Sequence, residues 1–230
     1  MGRMKSKNKI DEKRMRISFV INLFISVLTV NIVIMTLTGF RFLHGYVPLE
    51  ELGDVSTFCY FTTQSNVFMG IVSFVFANRE YLVLKGKMKS VPRYFYILKM
   101  VATVAVSLTF LVVFGYLGFV MDGGHLALLK YNNLFFHLVI PVISIFNFLV
   151  FEKTDLIKFK HTFYSLIPVF LYEIYYVGNL VVNFNDGVVT TQSDWYYFLQ
   201  ADIWRPIIVA PMMLLTTWLL SLAIWKINKK

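Results

Sequence analysis

The densest group of reactive and hydrogen-bonding side chains lies in one otherwise apolar stretch and consists of Thr62, Thr63, Gln64, Ser65 and Asn66. On a helix, the two threonines and the asparagine share one face with Cys59, Gly70 and Ser73, at steps of three or four residues. Hydroxyls act as nucleophiles beside a base, and amides hold ligands through hydrogen bonds. In lipid such a face needs partners, so it predicts either close packing with other helices or the lining of a pocket.

A second apolar stretch carries a base at a similar depth. His137 shares a helical face with Asn133, Pro141 and Ser144. Pro141 removes the backbone donor that would pair with the carbonyl of His137, so a kink beside the imidazole is expected. At about 1.5 Å per residue, Thr62 and His137 each lie roughly 8–9 Å below the same edge of the bilayer. A contact between them is therefore geometrically allowed, whereas a histidine that only satisfies helix contacts is the alternative.

A third stretch contains a carboxylic acid among tyrosines. Glu173 falls near the middle of this stretch, and Asn179 and Asn183 follow on the same segment. An ionised carboxylate at mid-bilayer is costly, so we expect Glu173 to be neutral or hydrogen-bonded, in a proton or solute pathway or in a structural helix contact. Arg205 follows Asp202 by three residues, and it is expected to pair locally or to meet an anionic lipid or substrate head group.

The elements that position these residues are apolar helices. Of the 230 residues, 57% are hydrophobic and only 15% are charged, against roughly 25% charged in soluble proteins. A helix that crosses a bilayer needs about 20 apolar residues. The sequence predicts one all-α domain over residues 1–230, a bundle of six transmembrane helices. The predicted spans are 17–40, 55–78, 97–121, 131–151, 162–185 and 204–225.

The distribution of basic residues predicts the orientation of the spans. Eighteen Lys and Arg residues fall at the termini and in the loops after the second and fourth spans, while the other loops hold only Arg41, Lys130 and Arg205. By the positive-inside rule, both termini are cytoplasmic and the protein is a multi-pass protein of the cell membrane. The net charge of +9 therefore reports topology and contact with membrane lipids, and nucleic acid is not an expected partner. The oligomeric state is left open.

Motifs for cofactor chemistry are missing from the sequence. It contains no cluster of His, Cys, Asp and Glu with metal spacing, no GxSxG, no Walker loop and no GxGxxG. Neither a metal nor another cofactor is expected.

The run from Tyr60 to Asn66, followed by His137 four residues before Pro141, resembles a family of uncharacterised six-pass proteins of the bacterial inner membrane. That family is distantly similar to the androgen-induced membrane hydrolases, which cleave fatty acid esters of hydroxy fatty acids with an intramembrane threonine and histidine. The resemblance implies Thr62 or Thr63 as nucleophile and His137 as general base. Gln64 or Asn66 would then donate to the developing oxyanion.

Three functions remain open from the sequence. The first is an intramembrane lipid-directed hydrolase or acyl-transfer enzyme with a threonine–histidine pair in an outer-leaflet pocket. The second is a carrier or sensor for a small or lipidic ligand, with the polar faces lining a cavity and Glu173 tuning protonation. In the enzyme or in the carrier or sensor, ligand binding would also involve Ser65, Asn133, Asn179, Asn183 and Arg205. The third is a structural protein whose polar faces are packing interfaces.

Overall fold

In the computed structural model, the described residues are 2–46, 55–183, 194–196 and 205–229. Apart from one short β ladder, the regular structure in these ranges is helical. The helices are α1 (Gly2–Leu37), α2 (Phe61–Leu84), α3 (Arg93–Val112), α4 (Gly118–Val120), α5 (Gly124–Leu128), α6 (Ile140–Val150), α7 (Leu166–Val182) and α8 (Arg205–Asn228). The ladder pairs β1 (Phe40–Arg41) with antiparallel β2 (Gly45–Tyr46).

Five helical segments of the described chain are long and apolar enough to cross a membrane. They are Asp11–Leu37, Phe61–Leu84, Arg93–Val120, Phe159–Val182 and Ile208–Asn228. A shorter apolar helix, Phe135–Val150, corresponds to the fourth predicted span. Large apolar side chains such as Phe24, Ile71 and Phe170 are exposed on the outside of the bundle, as expected for a surface that faces lipid. The helical fold is therefore confirmed, and the length and apolar composition of these helices support a membrane protein.

Helix α3 forms the centre of the bundle because most of its side chains, on every side, are apolar. Every residue from Lys99 to Thr109 is buried. Helices α2, α6, α7 and α8 pack around it, and α1 packs against α2 and α6. The polar face predicted on α2 is turned inward, since Thr63, Asn66, Gly70 and Ser73 are all buried.

The ends of the helices differ from the predicted spans. Residues Val55–Cys59 form a 3-10 turn, and α2 begins at Phe61. Thr62 and Thr63 therefore lie in the first turn of α2, whereas the predicted span placed Thr62 about six residues inside the bilayer edge. The first predicted span also ran too far, because α1 ends at Leu37 and the β ladder follows.

The fourth apolar segment contains a turn of π-helix. Residues Phe135–Val139 are π-helical and lead into α6, in which Pro141 stands in the first turn. Proline cannot donate the backbone hydrogen bond to the carbonyl four residues before it, so the preceding turn is free to widen. The irregularity expected beside His137 is present in this form.

Candidate functional site

An apolar cavity lies between α2, α3, α7 and α8 and encloses about 60 Å³. Its walls are mostly aliphatic and aromatic, and they include Phe61, Leu108, Val112, Val169, Tyr172, Tyr176, Val177, Tyr196, Val209, Ala210 and Met213. Three of the lining residues, Thr62, Thr109 and Glu173, carry other polar groups. The cavity therefore has the composition of a small-molecule site, with an apolar body and few polar groups.

The enclosed part of the cavity is small, and some of the residues that line it are partly exposed. Val177 of α7 and Ala210 of α8, which both line it, are half-buried. The enclosed volume is well below the roughly 300–1,000 Å³ of typical small-molecule pockets. The inner part therefore has room for no more than one end of an elongated apolar molecule.

Thr62 and Glu173 are the two residues predicted from the sequence that the structure brings to this cavity. The Glu173 side chain is half-buried, and its Oε1 is buried with no hydrogen-bond partner in the part of the chain that the structure describes. A buried polar oxygen without a partner is costly, so it favours a ligand or water that donates to it or shares its proton.

Aromatic side chains close the cavity at the first turn of α2. Tyr196 Oη accepts a hydrogen bond of 2.8 Å from the backbone N–H of Phe61. Tyr172 donates to the carbonyl of Cys59 at 2.9 Å and accepts from Trp195 Nε1 at 2.9 Å. Burial raises the pKa of Tyr196 to about 12, so its hydroxyl stays protonated at neutral pH. This arrangement could not be predicted from the sequence, because Trp195 and Tyr196 lie in a predicted loop.

Thr63 points away from the cavity. It is buried, and its Oγ1 lies 3.4 Å from the hydroxyl of Thr57. Gln64 donates to the carbonyl of Phe58 at 2.8 Å on the exposed side of the turn. Both side chains thus stabilise the start of α2 locally.

Ser65 and Asn66 join α2 to its neighbours. The Ser65 hydroxyl lies 2.9 Å from the hydroxyl of Thr109 on α3. Asn66 Nδ2 donates to the carbonyl of Phe136 at 3.0 Å and to the carbonyl of Thr62 at 2.7 Å. The segment that carries His137 is therefore a direct neighbour of α2.

His137 is buried, and its Nδ1 lies 2.5 Å from the carbonyl oxygen of Leu128. Because a carbonyl oxygen can only accept, Nδ1 carries a proton in this contact, and Nε2 is the acceptor in the neutral form of the imidazole. Within the described side chains, no hydrogen bond joins His137 to Thr62 or Thr63, and His137 does not line the apolar cavity. The catalytic pair stays a prediction.

The other predicted binding residues lie elsewhere. Asn133 lines a second cleft of about 410 Å³ at the β ladder, together with Arg41 and Lys130. Asn183 donates to the carbonyl of Asn179 at 2.8 Å, in the last turn of α7. Arg205 begins α8, and its side chain lies outside the described residues, as does Asp202.

A network of buried polar side chains lies at the ends of the helices away from the apolar cavity, and it was missed by the sequence reasoning. Lys99 Nζ donates to Asn22 Oδ1 at 2.6 Å and to Ser73 Oγ at 2.7 Å, and it lies 3.9 Å from Glu152 Oε1. Glu80 joins through Asn22 Nδ2 at 3.2 Å. Lys99 inside an apolar span was the available signal, because a membrane-embedded cation requires a partner.

No group of three or more His, Cys, Asp or Glu side chains in the described ranges could hold a metal ion. No family model, no curated protein and no solved structure matches the chain.

Proposed function

We propose that the protein is a six-pass protein of the cell membrane with cytoplasmic termini, and that it is a carrier or sensor that binds a neutral lipidic ligand. The apolar cavity carries the functional part of this proposal. Its walls take the hydrocarbon portion, and Glu173 with Thr62 makes the polar contacts.

Two contacts support an even number of crossings. Ser18, near the start of the apolar part of α1, donates to Glu152 just after α6, and Asn228 at the end of α8 donates to the Phe148 carbonyl of α6. These ends carry most of the basic residues, which the positive-inside rule assigns to the cytoplasm. The segment Phe135–Val150 extends about 24 Å. It would complete the sixth crossing with a few flanking residues.

The charge of the cavity favours a neutral ligand. Among the described lining residues there is no Lys, Arg or His, so a carboxylate or phosphate entering the cavity would meet no opposite charge. Glu173 in its neutral form can donate to an alcohol, ester or carbonyl oxygen, and the Thr62 hydroxyl can donate or accept. A long-chain alcohol or an ester lipid fits this chemistry.

The lipid hydrolase is the second candidate, and two observations favour it. The Thr62 hydroxyl lines the cavity, and the Leu128 carbonyl orients His137 with Nε2 as its basic nitrogen. A reacting pair would additionally need Nε2 within about 3 Å of the threonine hydroxyl. The carrier or sensor is preferred because it requires no further movement of His137.

Photocrosslinking with three probes of equal chain length tests the proposal. The full chain in lipid vesicles is irradiated with diazirine-bearing hexadecanol, hexadecanoic acid and hexadecylamine, and the labelled peptides are identified. The proposal expects the alcohol to label peptides of α7 and α8 most strongly, with excess unlabelled alcohol competing. Equal labelling of all outward-facing helices, or labelling that excess alcohol does not reduce, would contradict it.

A further inference from the structure

The buried network at the basic ends of the helices, here called the Lys99 network, comprises Ser18, Asn22, Ser73, Glu80, Lys99, Asn147 and Glu152. All seven side chains are at least nine-tenths buried. They come from α1, α2, α3, α6 and the residues after α6, so they meet only in the folded bundle. The network is separate from the apolar cavity, with which it shares no lining residue.

The carboxyl groups outnumber the cations in this network. Glu80 and Glu152 are each 3% exposed and Lys99 is fully buried. Among the described residues, Lys99 with Glu152 is the only cation–carboxylate pair within 4 Å in this network. Two ionised carboxylates against one ammonium would leave an uncompensated charge in a dry interior, which is strongly unfavourable. One further positive charge is therefore needed.

The hydrogen bonds distinguish the two carboxyl groups. Glu152 Oε1 accepts from Ser18 at 3.1 Å, from Asn22 at 2.7 Å and from Asn147 at 2.7 Å, in addition to facing Lys99. Several donors on one oxygen stabilise the ionised form. Glu80 Oε2, in contrast, accepts a longer bond of 3.2 Å from Asn22. Glu152 is accordingly the counter-ion of Lys99, and Glu80 is the group that requires the extra charge.

Two buried oxygens in the network, Glu152 Oε2 and Asn147 Oδ1, have no hydrogen-bond partner among the described residues. Unpaired buried acceptors indicate that a further donor such as water completes this part of the network, while the positive charge that the network still needs belongs at Glu80, the carboxyl group with the fewer donors. We propose that the Lys99 network binds one exchangeable proton, held on Glu80 when Glu152 is paired with Lys99.

The residues around Glu80 determine how this proton exchanges with water. Glu80 lies one turn before the end of α2 at Leu84, so water at that end of the bundle is its nearest source and acceptor of protons. Among the described residues, the ionisable groups around the two carboxyls are Lys99 and Tyr96 of α3, with Asp11 of α1 a further carboxyl group on the side of Tyr96. When Glu80 loses this proton, it becomes a second counter-ion for Lys99. The ammonium group then attracts carboxylates of α2 and of the residues that follow α6. Proton binding is thus coupled to the packing of α1, α2, α3 and α6.

Infrared difference spectroscopy of the full chain in lipid tests the proposal through the carbonyl stretch of protonated carboxyl groups. Relative to the wild type, Glu80→Gln should lose the intensity of one such group, whereas the exposed control Glu12→Gln should lose none. Glu152→Gln should lose the same band, because Glu80 then becomes the counter-ion of Lys99. Equal bands in wild type and Glu80→Gln, or an unchanged band in Glu152→Gln, would overturn the proposal.

Two measurements do not depend on folding of the Glu80 variant. Lys99→Met removes the ammonium and should add the band of a second protonated carboxyl group, and a spectrum identical to the wild type would contradict the proposal. Thermal unfolding of the wild type should be the same in sodium chloride and in choline chloride at equal ionic strength. Stabilisation by sodium alone would identify the extra charge as a metal cation and reject the proton.

Discussion

Lys99 Nζ and Glu152 Oε1 lie 3.9 Å apart between two side chains that are both fully buried. The pair connects α3, the central helix, to the residues that follow α6. Asn22 bridges it from α1 by accepting from Lys99 and donating to Glu152. Removal of one member of a buried ion pair leaves the other uncompensated, which costs about 3–5 kcal/mol.

We therefore expect Lys99→Met to lower the free energy of unfolding by at least about 2 kcal/mol, since protonation of Glu152 relieves part of the full penalty. The double variant Lys99→Met/Glu152→Gln should recover part of this loss. Lys89→Met, at an exposed position, is the control and should change stability little. Unfolding by sodium dodecyl sulfate in mixed micelles gives the three values, and equal stability of Lys99→Met and Lys89→Met would argue against a buried pair.

Helices α1 and α2 pack tightly against each other at Gly70. A Cβ added to this glycine would lie 2.8 Å from the Cβ of Thr29, which no adjustment of a flexible chain end can relieve. Gly70→Ala should therefore destabilise the protein by about 1–3 kcal/mol. Gly178→Ala on α7, with nothing within 4 Å of the added Cβ, should be neutral or stabilising, because alanine favours helix. The same unfolding assay compares them, and equal effects would contradict the tight contact.

The helices could be predicted from the sequence because their signal is local. A long apolar run defines α1, α2, α3, α7 and α8, and the buried polar face of α2 follows from spacing of three and four residues. The ends of α2 and α1 could not be predicted, since the 3-10 turn and the β ladder depend on contacts made after folding. The β ladder, for example, is held by the distant Asn132, which donates to the Phe40 carbonyl at 2.8 Å and accepts from the Phe42 N–H at 3.0 Å.

The candidate site could be predicted only in part. Thr62 and Glu173 were selected as polar residues in apolar helices, and both line the cavity. Their shared location depends on how α2 and α7 pack, which no pattern along the chain encodes. Glu80 and Glu152 could not be predicted as site residues because acidic residues near the ends of spans usually face water. These two side chains are buried only because α1 and α3 pack against them.

The hydroxyl of Tyr196 is expected to stabilise the first turn of α2. Tyr196→Phe removes the acceptor of the Phe61 N–H and leaves a buried donor unpaired, at a cost of about 1–3 kcal/mol. Tyr164→Phe, at an exposed tyrosine, is the matched control. Hydrogen exchange of α2 amides should accelerate in the first variant alone, and unchanged exchange would show that the bond contributes nothing.

A fluorophosphonate probe separates the hydrolase from the carrier or sensor. Because no hydrogen bond joins His137 to either threonine, we expect no covalent labelling of the wild type above that of the His137→Ala variant. Thr62→Ala and Thr63→Ala should give the same background. Labelling of the wild type that disappears in His137→Ala and in one threonine variant would establish the hydrolase instead.

The affinity of the cavity for a long-chain alcohol tests the central claim most directly. Ala210 lines the cavity and Leu219 lies on the exposed side of the same helix, so Ala210→Phe fills the site and Leu219→Phe does not. Binding of a fluorescent hexadecanol to the full chain in lipid nanodiscs should weaken at least tenfold in Ala210→Phe and stay unchanged in Leu219→Phe. Equal affinity of both variants and the wild type would contradict a ligand site in this cavity.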